Sequence, residues 1–340
     1  MSQVLRLGTR GSQLALWQAN TVAAAVAADG GPLCEIVVIR TSGDQLQTAP
    51  LSEVGGKRLF VKEIEDALLR GEIDIAVHSS KDMPAALPAG LSIAGVLPRE
   101  DPLDALVLPA MADGSGLIAD QATSHQPSAM TCIEDVLQHL GQSPSIGTGS
   151  VRRIAQLTRL LPCARFTPIR GNLDTRLRKL DNRGHDALVL AAAGLRRLGF
   201  AARISFALPA TACVPAPGQG IVAIETREDD RAVRAAIAPV SDLETAAALD
   251  AERALVEALG GGCQTPVGAL ATPADGDTLE LIAVVVALDG SRAVRGQARG
   301  SRSEAAALGA RLGEQLIADG AGEILAEARR VQGTVEGIQP

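Results

Sequence analysis

The stretch SIGTGSVRRIAQLTRLL, residues 145–161, changes its pattern twice along its length. Residues 145–147 predict a short strand, residues 148–150 form a polar turn, and residues 151–161 have the apolar period of a helix. A strand that leads through a tight turn into a helix is the building unit of α/β folds with parallel strands. Ligands bind such sheets at the carboxyl ends of the strands, so the unit predicts both a fold class and the location of a site.

The same unit occurs at the N-terminus in VLRLGTRGSQLALWQANTVAAAVAA, residues 4–28. There a strand at 4–8 and a turn at 9–12 precede a helix at 13–28. Further strands are predicted at 35–41, 74–78, 165–168 and 187–190, with helices at 62–70 and 173–180. Alternating strands and helices in two series predict two α/β domains with mainly parallel sheets.

A different pattern begins near residue 241. Ser241-Asp-Leu-Glu244 is a capping box for a helix that runs to about Leu259, where Gly260 can act as the C-cap. Asp289-Gly290 predicts a hairpin between strands at 279–287 and 292–298. These features predict a small α+β domain, while residues 109–145 form a long connection with one short helix near 132–140.

Composition bounds the class of protein. The 340 residues are 46% hydrophobic and 21% charged, which is typical of a soluble globular protein with two or three domains. We expect no membrane span and no signal peptide, because the apolar runs are short and the N-terminus lacks the required order of regions. The five cysteines are widely spaced and odd in number, which favours reduced thiols in a cytosolic protein over disulfides or a zinc site.

Positive charge is concentrated in one segment of an acidic chain. The net charge is −7, yet residues 152–203 contain eleven arginines and one lysine against three aspartates. Such a surplus predicts an anionic partner. Because aromatic residues are not interleaved with the basic ones, a small polyanion is favoured over nucleic acid.

The polar turns themselves predict anion binding. Backbone N–H groups at a helix start attract an anion, and the arginines inside the helix at 151–161 add bidentate donors. Arg170-Gly171-Asn172 with Arg176, and the turn around Arg10 and Ser12, repeat this design. The alternative is a simple serine N-cap, and the glycine and lysine spacing of a P-loop is missing. Together the turns predict a polycarboxylate ligand held between two domains.

Two further motifs leave alternatives open. In HSSKDMP, residues 78–84, Lys81 and Asp82 form either a surface pair or a cleft carboxylate that stabilises a cation and passes protons. In GGGCQTP, residues 260–266, Cys263 follows a helix C-terminus, whose partial negative charge disfavours a thiolate nucleophile. Its pattern alone fits an ordinary loop thiol or a covalent attachment point.

Taken together, eight stretches in order resemble the porphobilinogen deaminase (hydroxymethylbilane synthase) family over almost the whole chain. They are LGTRGSQLALWQA, VGGKRLFVKEIE, DIAVHSSKDMP, REDPLDA, GTGSVRR, IRGNLDTRLRKLD, PAPGQGIVAIE and AERALVEALGGGCQTPVG. This sequence departs from the family pattern at Glu53, Arg58, Leu103, Gly149 and Pro217.

The resemblance implies a transferase that joins four porphobilinogen molecules head to tail, releasing ammonia at each step, on a dipyrromethane cofactor; water then frees the linear tetrapyrrole. It implies that Cys263 carries the cofactor through a thioether and that Asp82 is the catalytic carboxylate. The residues expected to bind the acetate and propionate groups of the cofactor and substrate, or to assist in binding them, are Arg10, Ser12, Lys81, Thr148, Ser150, Arg152, Arg153, Arg170, Arg176 and Arg197.

The resemblance also implies two periplasmic-binding-protein-like (type II) domains and a small α+β domain that carries the cysteine. The expected domains are 1–105 with 218–238, then 106–217, then 241–335. Porphobilinogen and the growing oligopyrrole are the expected partners of a cytoplasmic monomer without metal, nucleic acid or membrane. The main rival is a non-catalytic polycarboxylate-binding protein of the periplasmic-binding type, and a nucleic-acid-binding regulator comes third.

Overall fold

The computed structural model describes residues 4–41, 61–110, 133–260 and 265–336. Its strands form two five-stranded sheets and one three-stranded sheet. Among the residues described, we find no helix with the length and apolarity needed to cross a membrane.

The strands are numbered in chain order. They are β1 (Leu5–Thr9), β2 (Cys34–Val38), β3 (Ile75–Ser79), β4 (Leu91–Val96), β5 (Asp104–Val107), β6 (Ser145–Gly147), β7 (Arg165–Thr167), β8 (Ala187–Ala191), β9 (Phe206–Leu208), β10 (Val222–Arg227), β11 (Val267–Pro273), β12 (Thr278–Val286) and β13 (Ala293–Ser301).

The α-helices are numbered in the same way. They are α1 (Gln13–Ala28), α2 (Lys62–Leu69), α3 (Ile133–Leu140), α4 (Val151–Leu160), α5 (Leu173–Asp181), α6 (Ala192–Arg197), α7 (Arg231–Ile237), α8 (Leu243–Ala258), α9 (Ala305–Leu316) and α10 (Gly322–Glu336).

The two larger sheets share one arrangement. The first has the order β2-β1-β3-β10-β4 and the second β7-β6-β8-β5-β9. In each, the first three strands are parallel, and the fourth is antiparallel to both of its neighbours. The predicted α/β class is confirmed, and each parallel core is extended by two strands that complete a mixed sheet.

The central strands are covered on both faces. Residues 75–77 of β3 and 187–190 of β8 are all buried, as expected for strands between two layers of helices. The carboxyl ends of β1 and β3 lie side by side because these strands are parallel neighbours. The turns that follow them therefore meet at one edge of the first sheet.

The chain passes twice between the two larger sheets. β4 lies in the first sheet and β5 in the second, while β9 lies in the second and β10 in the first. Residues 97–103 and 209–221 are thus the connections between them. The expected boundary after residue 105 falls inside β5, which pairs only within the second sheet.

The third sheet is antiparallel, with the order β11-β12-β13, and β12 and β13 form the predicted hairpin. Its core is shared with α8 and α9. The expected cap at Ser241 is wrong, because Asp242 caps α8 by accepting from Thr245 N at 2.8 Å. The Ser241 hydroxyl instead accepts from Val96 N at 3.2 Å, so it is committed to β4.

Candidate active site

The turn after β3 presents the first two candidate residues. Ser80–Asp82 form a single 3-10 turn, and Lys81 and Asp82 are half-buried at its end. Met83, the next residue, packs into a small hydrophobic core with Leu249, and this packing holds the turn in place. Lys81 Nζ donates to Gln219 Oε1 at 3.4 Å. The end of β3 therefore holds the Lys81 ammonium and the Asp82 carboxylate in fixed, partly exposed positions.

The turn after β1 lies at the same edge of the sheet. Ser12 caps α1 by accepting from Ala15 N at 3.3 Å, and Arg10 lies half-buried just before it. Because β1 and β3 are parallel neighbours, Arg10 and Asp82 follow adjacent strand ends. The Ser12 hydroxyl is thus used by the helix, and direct binding of a ligand by Ser12 stays a prediction.

The start of α4 has the predicted polar turn. Thr148 is buried, and its Oγ1 accepts from Ser150 N at 3.3 Å. Ser150 Oγ in turn accepts from Arg153 N at 3.4 Å, so Ser150 is the N-cap. These hydroxyls stabilise the turn, which is the alternative that the sequence left open. Direct binding of a ligand by Thr148 or Ser150 stays a prediction.

Arg152 and Arg153 are buried around a carboxylate. Arg152 Nη1 donates to Asp104 Oδ2 at 2.7 Å and Arg153 Nε to Asp104 Oδ1 at 2.9 Å. Burial opposes ionisation of Asp104, but the charges of the two arginines outweigh it and lower the pKa of Asp104. Further donors reach the carbonyl oxygens of Val214 and Val189.

A buried thiol completes this group. Burial and the Asp104 carboxylate raise the pKa of Cys213 to about 12. Cys213 therefore stays neutral and donates to Asp104 Oδ2 at 3.4 Å. One carboxylate thus accepts from two arginines and a thiol, and one net positive charge remains on the group.

Arg176 links the arginines to the turn after β3. Its Nε donates to Gly171 O at 2.8 Å, and this hydrogen bond holds the guanidinium against the turn before α5. Burial and repulsion from Arg153 and Arg170 lower the pKa of Arg176 to about 10, while Asp82 acts in the opposite direction. Asp82 and three arginines from the second sheet therefore lie within one electrostatic environment. That environment suits a ligand with several carboxylates.

Two family profiles together match most of the chain. The profile "Porphobilinogen deaminase, dipyromethane cofactor binding domain" matches residues 5–235, and "Porphobilinogen deaminase, C-terminal domain" matches residues 246–318. The chain belongs to the porphobilinogen deaminase family. This confirms the resemblance on which the expected function was based.

Curated relatives agree over nearly the full length. A porphobilinogen deaminase of Geobacter metallireducens is 46% identical over 324 residues, covering 95% of this chain and 94% of the relative. One of Syntrophobacter fumaroxidans is 44% identical over 329 residues, covering 96% and 99%. Among solved structures, the Bordetella pertussis BvgS VFT2 domain (double mutant) matches with a TM-score of 0.38 and 17% identity, covering 70% of this chain and 86% of that one.

The family's dipyrromethane can be tested against the residues present. Arg176 is repelled by Arg153 and Arg170, and Arg152 Nε is buried without a hydrogen-bond partner. Carboxylates placed there would relieve both features, so the residues fit a porphobilinogen deaminase cofactor.

Cys263 lies outside the described residues, as do Glu53, Arg58 and residues 111–132. The segments on either side of Cys263 are described. α8 leads to Gly260, whose φ is 59°, and Thr265 and Pro266 lead into β11. Arg253 on α8 donates to Ala85 O at 2.6 Å, three residues beyond Asp82. The helix that precedes the cysteine is thus attached to the turn that carries the catalytic candidate.

Arg197 takes a different place from the other arginines. Its Nη2 donates to Gly220 O at 2.7 Å, and its guanidinium lies 5.5 Å from the centre of the Trp17 ring. Burial lowers the pKa of Arg197, and Glu100 opposes this effect. These contacts join α6 to α1 and to the connection before β10. A role for Arg197 in binding carboxylates stays a prediction.

Four residues near the site had no role predicted from the sequence: Asp104, Gln219, Arg99 and Glu252. Asp104 and Arg99 stand in REDPLDA, Gln219 in PAPGQGIVAIE, and Glu252 in AERALVEALGGGCQTPVG. Arg99 Nη1 donates to Glu252 Oε1 at 2.6 Å, and both side chains are largely buried. The available signal was a charged or polar residue inside one of the family motifs, but the partner of each lies far away in sequence.

Proposed function

We propose that this chain is a hydroxymethylbilane synthase, which condenses porphobilinogen head to tail with loss of ammonia and releases a linear tetrapyrrole. The observation that carries the proposal is the shared environment of Asp82 and the arginines around Arg176. A carboxylate beside a cluster of cations is what a substrate with two carboxylates and a developing positive charge requires. The family of the chain supports the same assignment.

The residues take the following roles in this proposal. Arg10, Arg152, Arg153, Arg170 and Arg176 bind carboxylates, with Arg197 and the polar groups of Ser12, Lys81, Thr148 and Ser150 in support. Asp82 stabilises positive charge on a pyrrole ring and holds or passes the proton there. When bound to Cys263, the dipyrromethane supplies the pyrrole end to which substrate units are joined.

Charge explains why the arginines and Asp82 belong together. The arginines neutralise acetate and propionate groups, so successive units can be accommodated despite their negative charge. Asp82 is then the negative group positioned for the reacting ring. A protein that only bound polycarboxylates would not need a carboxylate such as Asp82 beside the arginines. The non-catalytic binding protein is therefore not favoured.

The finer organisation is part of the same proposal. We keep the expected domains, 1–105 with 218–238, 106–217 and 241–335, except that the first transfer moves to the connection at 97–103, because β5 pairs within the second sheet. The protein acts as a cytoplasmic monomer without nucleic acid. Light scattering on the purified protein tests the monomer, since a dimer would double the mass.

The decisive experiment is the intact mass of the denatured protein with a porphobilinogen assay. The wild type and Cys163→Ser should carry added mass equal to two linked pyrrole units, and Cys263→Ser should not. Cys163 is a matched control because it is an exposed free thiol. An adduct that persists on Cys263→Ser contradicts the attachment. A wild type that forms neither adduct nor tetrapyrrole after incubation with porphobilinogen contradicts the function.

A further inference from the structure

Gln219 lies at the point where the chain returns from the second sheet to the first. It is fully buried between Gly218, with φ 74°, and Gly220, with φ 88°. A Cβ at position 218 would lie 2.6 Å from Ser80 Oγ, and one at position 220 would lie 2.2 Å from Glu100 O. Gly218 therefore lets the loop pack directly against the turn that carries Lys81 and Asp82, and Gly220 lets it pack against the connection that contains Glu100.

The backbone around Gln219 is held from several elements. Arg99 Nε donates to Gln219 O at 2.9 Å, Gly218 N donates to Glu252 Oε2 at 2.6 Å, and Arg197 Nη2 donates to Gly220 O. Arg99 follows β4, Glu252 lies on α8 and Arg197 ends α6. The loop is thus anchored to the first sheet, to the second sheet and to the helix that leads to Cys263.

The side chain of Gln219 uses both ends of its amide. Oε1 accepts from Lys81 Nζ at 3.4 Å, while Nε2 donates to Pro102 O at 2.7 Å and to Asp104 Oδ1 at 2.9 Å. Oδ1 is the oxygen that also accepts from Arg153. A single buried amide therefore connects the cation beside Asp82 with the carboxylate that holds Arg152 and Arg153.

The chemistry of the residue matters as much as its position. A glutamate here would lose the donor and place a second carboxylate against Asp104, and a lysine would lose the acceptor facing Lys81. The amide presents an acceptor to the cation and a donor to the anion at once. Because the group is buried, each unmet hydrogen bond is costly, and the amide orientation is fixed.

We propose that Gln219 is a positioning residue for the reaction. It fixes the position of Lys81, and through the shared turn that of Asp82, relative to the Asp104–Arg152–Arg153 cluster. The inference rests on the proposed function, since this relative position matters only where Asp82 acts on a substrate held by those arginines. Chemistry between groups held on two sheets requires their separation to be fixed within a fraction of an ångström.

The test uses Gln219→Met, purified as the holoenzyme and matched to the wild type for cofactor mass. Methionine keeps the length and removes both hydrogen-bonding ends. We expect kcat to fall at least about tenfold with a smaller change in KM, because a displacement of about 1 Å can cost about 10²-fold in rate. Gln219→Asn, which keeps the amide on a shorter arm, is the second variant should methionine prevent folding, and it should also lose kcat.

Gln156→Met is the matched control. Gln156 is a buried glutamine whose amide also uses both ends, accepting from Val214 N at 2.7 Å and donating to Val214 O at 3.0 Å. Its partners are backbone atoms, so its loss should lower the unfolding temperature while kcat stays within about twofold. A purely structural role for Gln219 predicts the same behaviour in both variants.

A double-mutant cycle with Lys81→Met separates positioning from stability. If Gln219 acts through Lys81, the kcat losses of the two single variants should not multiply in the double variant. Folded Gln219 variants with wild-type kcat, or losses of kcat that simply multiply, would overturn the proposal. An inactive wild-type holoenzyme would instead count against the proposed function.

Discussion

Arg152 Nη1 and Asp104 Oδ2 are 2.7 Å apart, and both side chains are almost completely buried. Arg153 shares the same carboxylate, with its Nη2 2.8 Å from Oδ1. The positive charge of the arginine-rich segment is therefore partly neutralised inside the protein, at a strand of the second sheet. Removing the carboxylate would leave two buried guanidinium groups without their counter-charge.

Asp104→Asn should destabilise the protein by about 3–5 kcal/mol, as is typical when one partner of a buried ion pair is removed. Unfolding in urea measures this change. Asp101→Asn is the control, because Asp101 pairs with the exposed Arg196 at 3.2 Å, and its loss should cost at most about 1 kcal/mol. Equal effects of the two variants would contradict the structural importance of Asp104.

The same carboxylate predicts how stability depends on pH. In the folded protein the pKa of Asp104 is below its usual value of 3.8. The stability from its charge is therefore fully present above about pH 4 and is lost as the pH falls through the lower folded pKa. The difference in unfolding free energy between the wild type and Asp104→Asn should shrink in acid. A difference that stays constant from about pH 7 to pH 3 would refute this linkage.

Asp82→Asn should reduce turnover of porphobilinogen by about 10²-fold or more, because the amide cannot supply the negative charge or take the proton. Its unfolding temperature and its cofactor mass should match the wild type, since Asp82 is only half-buried. Asp181→Asn serves as the control at an exposed pair with Arg203. Near-normal turnover of the Asp82 variant would remove the role given to this residue.

Local structure was predictable because it depends on short-range patterns. Helix α1 begins and ends as predicted, and β6 agrees with its expected bounds. The predicted strand at 35–41 is shorter in the structure, where β2 covers Cys34–Val38. The antiparallel strands β5 and β10 join sheets whose other strands lie far away in sequence, and no local period encodes that pairing.

The residue types of the site could be proposed from the sequence, but their connections could not. The arginine surplus indicated an anionic partner, which stays a prediction, while Arg152 and Arg153 pair with a carboxylate 48 and 49 positions away. Gln219 and Asp104 are 115 positions apart. Their contact depends on the chain crossing twice between two sheets, which turn chemistry and composition do not specify.

Trp17→Leu should cost about 0.5–1 kcal/mol, which is the usual strength of a cation–π contact that is not fully buried. Trp17 is 37% exposed, and the Arg197 guanidinium lies over its ring. Trp17→Phe keeps an aromatic face and should retain part of this energy. Since Trp17 is the single tryptophan, its emission should also shift in Arg197→Met. An unchanged spectrum and unchanged stability would mean that the contact is not significant in solution.

Gly220→Ala should be far more harmful than Gly199→Ala, although both glycines have a positive φ, 88° and 78°. In either variant the alanine has to adopt a positive φ, which costs about 1–2 kcal/mol of backbone strain. At Gly199 nothing lies within 4 Å of the added Cβ, so strain is the only cost and kcat should be retained. At Gly220 the Cβ would lie 2.2 Å from Glu100 O, so the loop must move.

That movement is what separates the two variants in an assay. A shift at Gly220 displaces Gln219 from Lys81 and Asp104, so Gly220→Ala should lose kcat as well as stability. Urea unfolding and steady-state turnover, measured on both variants as holoenzymes, give the comparison. If Gly220→Ala were destabilised by no more than Gly199→Ala and turned over normally, the loop would tolerate displacement. The contacts of Gln219 would then have no bearing on the rate.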